Sequence, residues 1–490
     1  MTFNLKVEVT ADSGTSNTHT LELGAIERSD LSAETLGLML EESKTLLKKL
    51  QEVVVRQQIN THLEETRACV ECGKKRVLKD DTTATFNTVF GKLKVSNPRW
   101  QHCACQTTKA KTFRPLARLL PERTTPELLY LETKWASLAS FSVTAGLLKD
   151  VLPVDDKLSG VAVRTHLHKI ATKADLTLGE ERVFFVDGCP REWAELPVPD
   201  GPFTVGLDGG FVRSTQKGKF FEVIAGKSIL SFKRDSLAPG RESDAGETAE
   251  NSKCFGFVHT YDDKAKRRVY ETLRAQGLQN NQQITFLSDG GESLRGLQHY
   301  LSPEAEYVLD WFHVAMRMTV LRQIGKGLPE IIEDNGVGYM GRDDTLAQLE
   351  SIKHYLWHGN SYRALQMIGS LEDSFYVLVD TTPQPTKAIK NLYTYLADLN
   401  TYIKNNAGYI RNYGERYRNG ERISTGFVES TINQVVSKRF CKKQQMRWTK
   451  RGAHLLLQTR TKVLNDELED TFRAWYPRFR AGDLEMPRAA

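Results

Sequence analysis

The chain is expected to fold as a mixed α/β protein with flanking modules, and three observations carry that expectation. Between residues 203 and 314, short apolar runs rich in β-branched and aromatic residues alternate with amphipathic stretches of helical spacing. Upstream, two cysteine pairs, Cys69/Cys72 and Cys103/Cys105, bracket a stretch that reads as a hairpin. Downstream of about residue 319 the chain is rich in Leu and Tyr at helical spacing, with no strand pattern.

Length and composition set the bounds. A chain of 490 residues has room for roughly three or four domains. Its charged and apolar fractions are ordinary for a globular protein. No stretch approaches the roughly 20 apolar residues that span a bilayer. The opening "MTFNLKVEVTADSG" lacks the basic-then-apolar order of a secretory signal. The expectation is therefore an intracellular (cytoplasmic) protein without a membrane partner. Seven cysteines, an odd number with four in two close pairs, fit metal binding better than a disulfide framework. A net charge of +6 names no partner. Its distribution says more, because residues 411–451 hold eleven Lys/Arg against three Glu. Tyr413, Tyr417, Phe427, Phe440 and Trp448 are interleaved with them. Such a stretch suits phosphate neutralisation and base stacking, or else a solvated basic face.

The elements follow in order. Residues 1–66 form an N-terminal segment with weak strand-like alternation and a helix over 32–66, capped by Ser32. That helix reads first as a core element and second as a dimer seam. Residues 67–112 form a zinc-ribbon-like module. In it Cys69, Cys72, Cys103 and Cys105 supply four thiolates to one Zn²⁺, and the hairpin turns at Gly91. His102 is an alternative ligand for the second pair. Residues 113–180 form a helical, helix-turn-helix-like domain: two helices starting at Thr125-Pro126 and broken at Pro153, then a third from about Ser159. The last carries Arg164, His166, His168, Lys169 and Lys173. A positive helix of that kind suits the major groove, with Arg164 and Lys169 as DNA contacts, although any three-helix bundle reads similarly.

From residue 181 to 318 the character is that of a sheet core. "RVFFVDG" (182–188) reads as a lead-in strand. "FTVGLDGG", "KFFEVIAGKSIL" and "KCFGFVHTYD" read as three strands, with a polar loop over 234–252. A helix over 264–278, the strand "ITFLSDG", a helix over 292–301 and the strand in "EYVLDWFHV" follow. Two of these strands end alike, in Asp208-Gly-Gly and Asp289-Gly-Gly. Two such ends in one chain make a shared site worth pursuing, and two turn-forming aspartates are the plainer alternative. In a fold that set the two strands side by side, as the resemblance named below implies, the carboxylates would repel unless cations lay between them, which would suit divalent-metal chemistry on a phosphodiester, and the glycines would admit close approach of backbone and nucleic acid. A third acid is available at Glu429 in "STGFVESTINQVVSKRF", 140 residues past Asp289. An all-helical insertion over 319–420 would fill the gap, and residues 421–490 would hold the last core helix and basic C-terminal helices.

This order resembles the RNase H-like core of DDE transposases and integrases. "GLDGGFVR", "FLSDGGESL", "LDWFHVAMRM", "GFVESTINQ" with its basic run, and the cysteine module ahead of them are most similar to the ISKra family of bacterial insertion-sequence transposases. The resemblance covers roughly residues 60–470. It implies an RNase H-like mixed sheet interrupted by the helical insertion, with Asp208, Asp289 and Glu429 as the catalytic triad binding two Mg²⁺ (or Mn²⁺). Asp310 and His313 match a motif of the Mutator-like and hAT-like branches. Asn433 shares the helical face of Glu429. Lys438, Arg439, Lys442, Lys443 and Arg447 would hold phosphates. The implied activity is hydrolysis at the ends of a mobile element in double-stranded DNA, then joining of the freed 3′-hydroxyls to target DNA by at least a dimer, near the nucleoid.

Overall fold

The computed structural model describes residues 1–10, 18–106, 110–117, 119, 122–181, 189–199, 201–230, 252–291, 296–297, 301–302, 305–330, 332–333, 339–441 and 446–480. The expected strand over 182–188, most of the loop over 234–252, most of the helix over 292–301, and Lys442 and Lys443 lie outside the described residues. The fold is mixed α/β and divides into two compact units. One comprises Met1–Ala174 with Asp466–Ala490, the other Asp175–Asn465.

In the first unit, β1 (Thr2–Thr10) and β2 (Thr18–Glu27) form an antiparallel pair. Helix α1 runs from Leu40 to Arg67, so the expected start near Ser32 is corrected. The preceding chain is held in turns by Arg28. Its guanidinium donates to the carbonyls of Thr35 and Gly37 and to the Glu42 carboxylate. Glu42 in turn accepts the Met39 N–H at 2.9 Å. That bond satisfies an otherwise orphaned donor and fixes the helix start eight residues late. The helix has no fully buried residue and packs on the hairpin through partly buried Val55, Ile59 and Leu63, one stripe at i, i+4, i+8. They lie against Ala84, Phe86 and Val95 of the hairpin β3 (Leu78–Thr88) and β4 (Gly91–Gln101), with Leu116. The hairpin turns at Gly91, whose φ of +123° a side chain would strain. The short strand β5 (Thr112–Phe113) pairs with β4, helices α2 (Pro126–Leu138), α3 (Phe141–Val151) and α4 (Gly160–Thr177) follow, and the short α5 (Pro190–Ala194) belongs to the second unit. The C-terminal helix Leu468–Trp475 belongs to this unit: Phe472 meets the Tyr130 ring edge-on at 5.5 Å.

The second unit is built on a five-stranded mixed sheet. Its members are β6 (Phe203–Arg213), β7 (Phe220–Leu230), β8 (Ser252–Val258), β9 (Ile284–Ser288) and β10 (Glu306–Leu309). The spatial order is β10-β9-β6-β7-β8. β6, β7 and β8 form an antiparallel meander, while β9 and β10 run parallel to β6. Helix α6 (Ala265–Ala275) links β8 to β9, and Val269 and Leu273 pack with Val205, Leu207, Ile224, Phe255 and Phe286. The residues after β10 form α7 (Trp311–Gly325), then α8 (Arg342–Trp357), α9 (Ser361–Thr381) and α10 (Lys387–Asn406). Their stripes of Leu and Ile, among them Leu321, Leu349, Ile368 and Leu396, make one core with Leu287, Val308 and Leu309 of the sheet. The stretch expected to be all-helical carries one exception, a two-residue ladder of Ile332–Glu333 with Tyr339–Met340.

After the short helix α11 (Tyr413–Arg418), helix α12 (Gly426–Ile432) lies directly on β6. A Cβ placed on Gly206 would meet Val428 at 2.1 Å and Phe427 at 2.6 Å. Strand and helix touch where only hydrogen fits. Gly206→Ala is expected to cost about 1–3 kcal/mol by overpacking, which urea unfolding checks.

Candidate functional site

Residues 206, 208 and 210 of β6 share one face, since side chains alternate along a strand. Gly206 faces Phe427 and Val428, and Gly210 lies in ordinary contact with Ile432 and Val436. Asp208 lies between them on the same face, beneath the helix that carries Glu429. The register brings the second acid alongside. Gly206 pairs with Leu287 and Leu309 with Ser288. Two residues beyond the first pair on each strand stand Asp208 and Asp289, and one residue beyond the second stand Asp310 and Asp289. Neighbouring strands lie about 4.8 Å apart, so Asp208 in the middle of β6 and the aspartates just past the ends of β9 and β10 come to one region of the sheet; β6 runs on to Arg213, paired with β7 throughout, which corrects the expectation that it ends at Asp208-Gly-Gly.

The 140 residues between Asp289 and Glu429 close through Asp310, whose fully buried carboxylate is a bracket. It accepts the N–H of Phe312 at 2.8 Å as the cap of α7, and the Nδ1 of His313 at 2.7 Å. It also accepts the Thr425 N–H at 3.1 Å and the Thr425 hydroxyl. Alongside it, the Trp311 N–H donates to the Ile423 carbonyl at 2.9 Å. The end of β10 is thereby tied to the residues that begin the Glu429 helix. Tyr413 adds a third tie, its hydroxyl donating to the Leu309 carbonyl at 2.8 Å.

The acids sense one another. The Asp208 carboxyl is pushed above its ordinary range, first by burial and then by the negative charges of Asp289 and Glu429. The Gly209 N–H, bound at 2.7 Å, and the nearby His313 pull it back. His313 is raised by its bond to Asp310 and by the charges of Asp310, Asp289 and Asp208. Asp289 also caps its own turn, accepting the Gly291 N–H at 3.1 Å. The turn-forming role and the charge-gathering role therefore coexist.

Other residues complete this region that the sequence did not reveal. The Tyr402 hydroxyl donates to the Asp289 carbonyl at 3.0 Å, and Arg317 stacks over the Tyr402 ring at 4.2 Å. Gly290, with φ +94°, leaves room for the Asn406 side chain, which a Cβ would meet at 2.6 Å. The glycines expected to admit nucleic acid thus admit the protein's own chain: Gly290 accommodates Asn406 and Gly209 accommodates Glu222. Nothing local in the segment holding Tyr402 and Asn406 marks it. Arg317, one turn past His313, was the one legible candidate, since i and i+4 share a helix face.

Asn433 caps the Glu429 helix, its backbone N–H donating to the Glu429 and Ser430 carbonyls. Beyond it the expected α-helix becomes a π-helix, Asn433–Cys441. Wider winding leaves carbonyls poorly paired, and buried Arg460 donates to those of Gln434 and Val435. The basic, aromatic stretch divides: most of its described cations and Tyr417 are exposed, as on a solvated basic face, while Arg439 and four of its aromatics are turned inward, which corrects the expectation for those residues. Arg439 is fully buried, 5.4 Å from the Trp448 ring, and burial with nearby Arg460 pulls it down to about 10. It cannot reach a phosphate. Tyr413, Phe427, Phe440 and Trp448 are buried as well and unavailable for base stacking. Lys438 and Arg447 are exposed.

In the first unit, the sulfur ligand atoms of Cys69, Cys72, Cys103 and Cys105 all lie within 4.8 Å of one another. Cys69 and Cys105 are 3.5 Å apart, Cys72 and Cys103 3.3 Å. A tetrahedron with Zn–S near 2.3 Å has edges of about 3.8 Å, so the four could hold a structural metal such as zinc. The knuckle is shaped by Gly73, at φ +69°, whose N–H returns to the Cys69 carbonyl at 2.8 Å. Hydrogen bonds, the first from the Cys105 backbone, draw the Cys103 thiol down to about 7, while its neighbours push Cys105 up. A dication would relieve this competition for protons. His102 stands apart from the cluster, bonded to Gln106 at 3.2 Å and packed on Phe113. Elemental analysis is expected to find one zinc per chain, and none after Cys69→Ser with Cys72→Ser. Proteolysis should then open the hairpin module, because structural zinc binding is folding free energy.

On α4, His166 is bound to buried Glu132, Lys169 pairs with Glu122 at 3.2 Å, and Lys173 lies 4.3 Å from the Trp475 ring. Arg164 is exposed. No family model matches the chain, and no curated protein matches it. Among the described residues, no helix is long and apolar enough to cross a membrane.

Proposed function

We propose that the protein is a DNA transposase with an RNase H-like core, and that Asp208, Asp289 and Glu429 are its catalytic carboxylates. The observation that supports this reading most is the register of β6 with β9, which stands Asp208 beside Asp289 beneath the helix that carries Glu429, 221 residues further along the chain than Asp208. The sheet order, with the first strand between an antiparallel second and a parallel fourth, agrees with it. The three carboxylates are not gathered around one point as the cysteines are, and a pair of ions would span more than one. Mg²⁺ or Mn²⁺ held by them would activate the nucleophile and stabilise the leaving oxygen of a phosphodiester.

The chain's own residues do the rest. Asp310 fixes His313 and the start of the Glu429 helix, and His313 places its imidazole, with its proton affinity raised by Asp310, near the aspartates. In the first step, a water oxygen forms a bond to phosphorus and the bond to the 3′-oxygen breaks, leaving a 3′-hydroxyl. In the second, that hydroxyl attacks a target phosphodiester; one P–O bond forms as another breaks, so no energy source is needed. Two ends must be joined together, which calls for at least two copies.

The test is mobility of a marked element with its native flanks, together with Mn²⁺-dependent nicking of supercoiled plasmid. Wild type should do both. Nicking without joining would point to a nuclease of the same fold. Equal mobility from Asp208→Ala and wild type would overturn the reading.

A further inference from the structure

We propose that the groove formed by Arg213, Ser214, Gly218, Lys219, Phe220 and Arg447 binds a backbone phosphate of a DNA strand that flanks the reaction centre. The proposal rests on the reading of the protein as a DNA-processing enzyme and adds a binding site to it. These residues line one depression at the tip of the β6–β7 hairpin. Residues 209–221, "GGFVRSTQKGKFF", carry Arg213, Lys217 and Lys219 and no acid, and residues 441–451 are equally free of acids. Among the described residues, no carboxylate pairs with Arg213, Lys219 or Arg447. Three cations held together without a counter-ion repel, and a phosphate would relieve that repulsion.

The walls are fixed before any ligand arrives. Ser214 donates its N–H to the Lys219 carbonyl at 2.9 Å, and Gly218 turns the chain at φ +73°. The segment bearing Arg447 is pinned to the strand end: Trp448 donates to the Arg213 carbonyl and accepts from the Thr215 N–H, each at 2.9 Å. Trp448 is itself buried against Phe440 at 4.9 Å. This anchoring gives the inward-facing aromatics a purpose: they hold Arg447 against Arg213. Phe220, exposed at the groove edge, offers a face to a sugar or base. Arg213 lies five residues beyond Asp208, about 17 Å along the strand. The groove therefore serves a flanking phosphate and not the one that reacts.

The experiment is fluorescence anisotropy with a 30-base-pair duplex and a 30-nucleotide single strand, without added Mg²⁺ or Mn²⁺, over a salt series. Wild type is compared with Arg213→Gln/Lys219→Gln/Arg447→Gln, all at exposed positions. A control, Arg363→Gln/Lys387→Gln/Lys390→Gln, removes the same charge from exposed positions on the helices α9 and α10. Each lost phosphate contact lowers the slope of log K against log salt by roughly 0.7–0.9. The groove variant is expected to lose about 0.7–0.9 units of slope, one phosphate contact, and the control none. A greater loss on one of the two probes would identify the strand form that the groove holds. An unchanged slope in the groove variant, or an equal fall in the control, overturns the groove while leaving the enzyme reading standing. Failure of wild type to bind either probe overturns both.

Discussion

Asp208→Asn is expected to abolish strand cleavage and joining while making the metal-free protein more stable at neutral pH. The loss should be roughly a thousandfold or more, the equivalent of several kcal/mol of transition-state charge stabilisation. The gain follows from the direction of the Asp208 shift. Its carboxyl is raised in the folded protein by burial and by the charges of Asp289 and Glu429. A group raised on folding contributes stability that is present below its unfolded pKa, near 3.9, and lost as pH rises through the folded value. At neutral pH, ionised Asp208 is therefore a cost to the fold, and an isosteric amide removes it. Thermal unfolding at pH 7 without divalent ions should show Tm higher by about 2 °C or more. At pH 3 the difference should vanish. Mn²⁺ should raise the Tm of wild type and not of the variant, since an ion binding only the folded state stabilises by mass action. A residue that merely formed a turn would lose stability on substitution and show no metal dependence. That outcome would remove Asp208 from the chemistry.

Asp310→Ala is expected to be among the most destabilising substitutions in the second unit, at about 3–5 kcal/mol. The change strands the N–H groups of Phe312 and Thr425, the Thr425 hydroxyl and the His313 ring without their common acceptor. The functional loss should exceed the loss of stability, because the same carboxylate sets the position of the Glu429 helix. Mn²⁺ affinity, followed by calorimetry at a temperature where the variant is still folded, should fall with it. The pH dependence should change too. The His313–Asp310 pair stabilises fully below the ordinary histidine range and loses its effect as pH rises through the raised His313 value. That slope should be absent from the variant. Wild-type stability with wild-type Mn²⁺ affinity in Asp310→Ala would show that the bracket does not hold the site.

Much of this was readable from local pattern. The alternation of residues 203–230 with the two Asp-Gly-Gly ends gave the strands and the candidate acids, because strand periodicity and turn chemistry are properties of neighbouring residues. The cysteine pairs and Gly91 gave the hairpin and the four-thiol cluster that could hold a metal, for the same reason. The start of α1 was misread because Leu36 and Leu38 continue the apolar pattern. Arg28 competes for that segment's carbonyls from outside the window that periodicity sees. Within the basic stretch, Arg439 and the aromatics were misread in the same way. Spacing cannot tell an exposed cation such as Lys438 from Arg439, buried on Trp448.

By itself the sequence determined which residues form strands, which positions carry acids and thiols, and that a long helical segment separates Asp289 from Glu429. Only the tertiary structure decided that this separation closes. Buried Asp310 accepts bonds from both ends of the gap, and glycine at 206 lets the late helix lie on the early strand. Both are encounters between residues more than a hundred positions apart. No local preference encodes them, and they exist only once the sheet and the helices have packed.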